Sequence, residues 1–93
     1  MPKPRVSGSI DQRAAVFKAL GEPTRLRIVE FLQRRNDEAT GTEVAEYAGI
    51  SLALLCHHTD ALIESGIVRK RKEGQTSYWA LDRETIAAAF RSR

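Results

Sequence analysis

Apolar positions fall into separate periodic blocks along the chain, and turn or capping residues mark the breaks between them. The opening MPKPRVSG has two prolines, little apolar content and no period. Residues 1–8 therefore read as a flexible arm and residues 9–93 as one folded domain. A helix is expected after Ser9, running to Leu20, with Gly21 as its stop signal. In EPTRLRIVEFLQRR, Pro23 suits the first turn of a second helix whose apolar face is Leu26, Val29, Phe31 and Leu32. The polar stretch from Asn36 to Ala39 breaks that helix.

Thr40 and Glu43 have the spacing of a capping box, which opens a short third helix through Val44, Ala45 and Tyr47 to Ala48, ended by Gly49. Ser51 can cap a fourth helix that turns Leu55, Thr59, Leu62 and Ile63 to the core and stops at Gly66. Two helices joined by so short a glycine-containing turn form a helix-turn-helix. Downstream, IVRKRKEGQTSYWAL has two β-compatible runs around Glu73-Gly74, a hairpin signal, and Asp82 caps a last helix, RETIAAAFRSR. The fold class is thus mainly α with one β-hairpin: a winged helix-turn-helix, with the fourth of its five helices as the recognition helix and the hairpin as its wing.

Composition agrees with a single small core. The chain has 93 residues, 42% hydrophobic and 29% charged, with one cysteine and hence no internal disulfide. No apolar run approaches the roughly 18 to 20 residues of a membrane span, and no signal peptide is evident, so a soluble, cytoplasmic protein is expected. The net charge of +3 hides a strong asymmetry. Residues 1–35 carry eight basic side chains against three acidic; residues 36–66 carry six acidic and no Lys or Arg; residues 67–93 carry seven basic against three acidic. The run Arg69-Lys70-Arg71-Lys72 points to a localised polyanion contact.

Several motifs resemble the ArsR/SmtB family of bacterial winged-helix transcriptional repressors. They are ALGEPTRLRIVEFL, with Glu22 where that family usually has Asp; TEVAEYAGIS; CHHTDALIESGIVRKRKEG; and the wing pattern Lys72-Glu73-Gly74 with Tyr78. Together they cover about residues 12–82. The resemblance implies a symmetric dimer that binds double-stranded operator DNA near a promoter and releases it when a signal arrives.

The residues themselves support parts of that role. AAVFKAL and TIAAAF are apolar nearly all round, so the first and last helices need cover on more than one side. Ala15, Val16, Leu20, Ile86, Ala89 and Phe90 are the expected homodimer contacts, and Ala14, Ala87 and Ala88 allow close approach. On the wing, alternation divides Arg69, Lys70, Arg71 and Lys72 between two faces, so about two of them contact phosphate, with Gln75 at the tip. Tyr78 and Trp79 must face opposite ways.

The recognition helix is expected to present Ser51, Leu52, Ala53, Cys56, His57 and His58 to DNA. Leu52, Ala53 and Cys56 offer only apolar contacts, for instance to a thymine methyl, plus a weak thiol donor, so direct base readout is weak. Consecutive helical residues point about 100° apart, so Cys56, His57 and His58 do not converge on one ion. The helix matching residues 42–48 lacks the cysteines usual in the family's metal sensors, and the last helix has neither Cys nor His. The expected repressor therefore needs no cofactor and answers to a signal that is not a metal. Two alternatives stand beside it: a thiol-redox response through Cys56, and a winged helix whose partner is a protein. Catalysis is not expected, because no phosphate-cradling loop and no nucleophile with an evident base and orienter is present.

Overall fold

A computed structural model describes residues 10–90. The expected arm lies outside the described residues. Helix α1 spans Ile10–Leu20, α2 Pro23–Arg35, α3 Gly41–Ala48, α4 Leu52–Glu64 and α5 Arg83–Phe90. Strand β1 is Ala39–Thr40, β2 Val68–Glu73 and β3 Thr76–Leu81. The three strands form one antiparallel sheet in the order β1-β3-β2.

Helix boundaries follow from local capping. Glu22 caps α2 by accepting from the Arg25 N–H at 3.0 Å, with Pro23 in the first turn. Asn36 ends α2 in the left-handed region, φ 58°, and its N–H returns to the Leu32 carbonyl. Thr40 and Glu43 form the expected capping box. Gly49, at φ 72°, closes α3 by donating to Ala45, and Ser51 then accepts from the Leu54 N–H to start α4. In the wing, a two-residue loop of Gly74 and Gln75 joins β2 to β3, with the positive φ falling on the glycine. Asp82 accepts from the Thr85 N–H and caps α5.

The core is contributed by every element. Val16, Ile28, Leu32, Val44, Leu55, Leu62, Ile67 and Trp79 are among its most buried side chains. On α2 the inward face is Ile28, Val29 and Leu32. Leu26, expected there, is exposed, and Phe31 is half-buried, stacked on Tyr47 with ring centroids 4.6 Å apart. The break after α2 also contains a strand that the polar pattern conceals. Ala39 is buried and pairs with Trp79, and Thr40 pairs with Tyr78. Two residues are too few for a period-2 pattern to show.

Arginines close the open helix ends. Arg25 donates to the Ala19 carbonyl at the end of α1, Arg13 to Ala89 near the end of α5, and Arg83 to Gln33 and Asn36 at the end of α2. Cations near helix C-termini meet orphan carbonyls and the negative end of the helix dipole. Part of the basic charge in the flanking segments is therefore structural.

Candidate nucleic-acid interface

The wing sorts its four cations by strand register. Lys70 lies opposite Trp79 and Lys72 opposite Ser77, while Arg69 lies opposite Ala80 and Arg71 opposite Tyr78. Directly opposed residues share a face of the sheet, so the lysines stand on the Trp79 side and the arginines on the Tyr78 side. Trp79 is buried and its ring passes closely over Gly41, where an added Cβ would sit 2.8 Å from Trp79 Cζ3 and 3.4 Å from Leu52 Cδ2. The ring on the lysine side of the wing and the first turn of α4 thus both lie close to Gly41.

Of the two arginines, Arg71 is committed to carboxylates. Arg71 lies over the Tyr78 ring, 4.5 Å from its centroid, and reaches across β3 to Glu38 through Nε to Oε2 and Nη2 to Oε1, both at 2.8 Å. Its Nη1 also donates to Glu73 at 2.9 Å. These hydrogen bonds hold the Glu38 carboxyl below its ordinary value and push the Arg71 guanidinium pKa further up. Arg69 lies 3.9 Å from Asp82. Lys70 and Lys72 are exposed and have no carboxylate partner among the described residues; Lys70 Nζ hovers 5.4 Å from the Trp79 ring centroid. The sequence pattern offers both arginines to the phosphate. The pairing across the sheet instead neutralises Arg71, and Arg69 shares its face.

Helix α4 presents Leu52, Ala53, Cys56, His57 and Asp60 to solvent and buries Leu55, Thr59 and Leu62. Ser51 is exposed at its head and Gln75 at the wing tip. His58 departs from expectation. Its side chain is only 13% exposed and turns to the head of α2, with Nδ1 3.7 Å from Glu22 Oε1 and without a hydrogen-bond partner. One position further along a helix rotates the side chain about 100°, which carries His58 off the face that His57 occupies. The Glu22 carboxyl is held below its ordinary value chiefly by the Arg25 N–H, with His58 adding a smaller electrostatic contribution.

The expected dimer surface divides in the same manner. Ala15 and Phe90 are exposed, and Leu20 and Ile86 are partly covered. Val16 and Ala89 are not available to a partner, because both are sealed in the core of their own chain at 0% and 2% exposure. The outward face missed in the sequence includes Ile10 and Phe17, which are exposed; Phe17 packs edge-on against Phe90 with centroids 5.1 Å apart. Its sequence signal is that Phe17 lies within AAVFKAL, a stretch apolar nearly all round.

Cys56 is a free, exposed thiol. Among the described residues, no group of three His, Cys, Asp or Glu side chains is placed to hold a metal ion, and no helix is long and apolar enough to cross a membrane.

This arrangement of α3, α4 and a basic wing has close counterparts. Residues 22–70 match the bacterial regulatory protein arsR family. A probable mercury resistance operon repressor of Streptomyces lividans is 31% identical over 97 residues, covering 94% of this chain and 76% of the relative. The transcriptional repressor SdpR of Bacillus subtilis is 31% identical over 67 residues, 72% of each chain. In three dimensions, the homodimeric winged helix-turn-helix DNA-binding domain of a possible ArsR-family regulator from Mycobacterium bovis superposes with a TM-score of 0.74. It is 29% identical, and the match covers 86% of this chain and 74% of that one. The chain belongs to the arsR family of bacterial regulatory proteins and is a winged helix-turn-helix, DNA-binding transcriptional regulator rather than an enzyme.

Proposed function

We propose that the protein is a homodimeric repressor that sets the head of α4 against the major groove and holds the flanking phosphate backbone with Lys70 and Lys72. The observation that carries this reading is that the wing lysines stand on the Trp79 side of the sheet while the Trp79 ring and Leu52 Cδ2 both lie close to Gly41. The exposed α1–α5 face of Ala15, Phe17 and Phe90 supports pairing of two chains, as do the homodimeric relative and the repressors among the relatives. Two chains related by a two-fold axis would place their recognition helices on half-sites separated by a whole number of helical turns.

The releasing signal in this reading is not a metal. The support is in the residue types: α3 holds no cysteine, and residues 83–93 hold neither Cys nor His. The test is selection of bound fragments from pooled genomic DNA, repeated with zinc, with reductant and with peroxide. The reading expects inverted-repeat sites that zinc leaves occupied. Release by zinc at stoichiometric concentration, or failure to enrich any fragment, rejects it.

A thiol response is a second reading, favoured by the exposure of Cys56 on the same outward face as Leu52 and His57. Oxidation there would place a polar group against the bases. Peroxide that empties the sites for the native chain but not for Cys56→Ser supports it; equal behaviour of the two chains removes it.

A further inference from the structure

The outward face of α4 lacks the side chains that ordinarily read guanine and adenine. Guanine is read by Arg or Lys at O6 and N7, and adenine by Asn or Gln at N6 and N7. None of these four residue types occurs from Asp37 to Gly66. What the first turn of α4 does expose is Leu52, Ala53 and Leu54, with the Cys56 thiol on the turn that follows. Leu52 keeps about half of its surface open, while its Cδ2 lies close to Gly41. An apolar side chain at the head of a recognition helix finds one apolar group on the major-groove floor, the C5-methyl of thymine. The polar members of the face, His57 and Asp60, lie further along the helix. Asp60 can accept from an exocyclic amino group, and it resists close approach to phosphate.

We propose that the first turn of α4 is a thymine-methyl reader, with Leu52 and Ala53 as its specificity-determining residues. DNA rather than an apolar protein surface is the occupant, because Lys70 and Lys72, which have no carboxylate partner among the described residues, stand on the Trp79 side of the wing, and the Trp79 ring and Leu52 Cδ2 both lie close to Gly41. This inference rests on the DNA-binding role proposed above and adds the chemical group that is recognised. Readout of this kind places thymine at the base steps under the helix head in each half-site. It also makes affinity depend on a methyl group that carries no hydrogen bond.

The test uses the full chain and the strongest fragment from the selection described above, synthesised with deoxyuridine in place of thymidine in the half-site core. Uracil keeps every Watson–Crick and major-groove hydrogen-bonding group and removes only the methyl. Affinity should fall about 3- to 4-fold for each contacted methyl, on the usual value of a buried methyl group. In Leu52→Ala, and in Ala53→Ser as a second variant, the penalty for uracil should shrink. Equal affinity for the thymidine and deoxyuridine fragments overturns methyl reading while leaving DNA binding intact. A penalty that persists undiminished in both variants assigns the effect to DNA shape and also overturns it. If no fragment is enriched at all, the DNA-binding role fails and this inference fails with it.

Discussion

Arg71 and Glu38, far apart in sequence, form a two-bonded ion pair across the face of Tyr78, both bonds at 2.8 Å. The wing therefore carries two kinds of cation: Arg71, which braces the sheet, and lysines that remain available to a polyanion.

That division predicts unequal salt effects. Lys70→Ala should lower the slope of log affinity against log salt by roughly 1 for each phosphate that is no longer neutralised, so by roughly 2 for a dimer. Lys72→Ala should behave similarly, whereas Arg71→Ala should change the slope by less than half as much. Filter binding or fluorescence anisotropy between low and moderate salt measures all three. A larger slope change for Arg71→Ala than for Lys70→Ala contradicts the assignment of faces.

Gly41 should not tolerate a side chain. In Gly41→Ala the new methyl would meet Trp79 Cζ3 at 2.8 Å, and the ring is buried, so the clash cannot be relieved by a flexible chain end. Overpacking of this kind costs about 1–3 kcal/mol, which exceeds the gain of up to about 1 kcal/mol from replacing glycine in a helix. Urea denaturation should show a lower midpoint with little change in slope. A variant at least as stable as the native chain would show that the ring is not held where it lies.

Acid should destabilise the fold through three carboxylates. Glu38 is lowered below its ordinary value of 4.5 chiefly by Arg71, Glu22 by the Arg25 N–H and Glu43 by the Thr40 N–H. A group whose folded pKa lies below its unfolded one contributes stability above the unfolded value, and that contribution is lost as pH falls through the folded value. Denaturation midpoints should hold from neutral pH to about 5 and decline below about 4.5. Glu43→Gln, which removes one titrating group, should have a shallower acid decline. Identical acid limbs for the two chains would exclude Glu43 from the effect.

The exposed Phe17–Phe90 pair is the expected centre of self-association. Phe90→Glu should weaken the dimer roughly tenfold or more, read by sedimentation equilibrium, with helical content by circular dichroism unchanged. Since Val16 is enclosed within its own chain, Val16→Ala should lower stability without a selective effect on association. The reverse pattern would place the interface elsewhere.

Much of the architecture is written in local signals. Thr40 with Glu43, Ser51, Gly49, Gly74 and Asp82 each specify a helix end or a turn within a few residues of themselves, and all act as their types suggest. The features that escape the sequence depend on distant partners or on small rotations. Alternation puts Arg71 and Lys70 on opposite faces, but which face is neutralised shows only when β1, itself a strand of two residues, brings Glu38 beside Arg71. His58 and His57 are neighbours in sequence but differ by one helical step, enough to send one to Glu22 and the other to solvent. Val16 and Ala89 belong to helices apolar on several sides, and only packing reveals which side is inward.

The seating of the Trp79 ring against Gly41 has a mechanical consequence. Where the strand bearing the wing meets the start of α3 there is no room for another carbon atom, so wing and helix-turn-helix resemble a caliper with a tight hinge. Adjustment must then come from the duplex, and sequences that already bend or narrow to its gauge will be gripped at the least elastic cost.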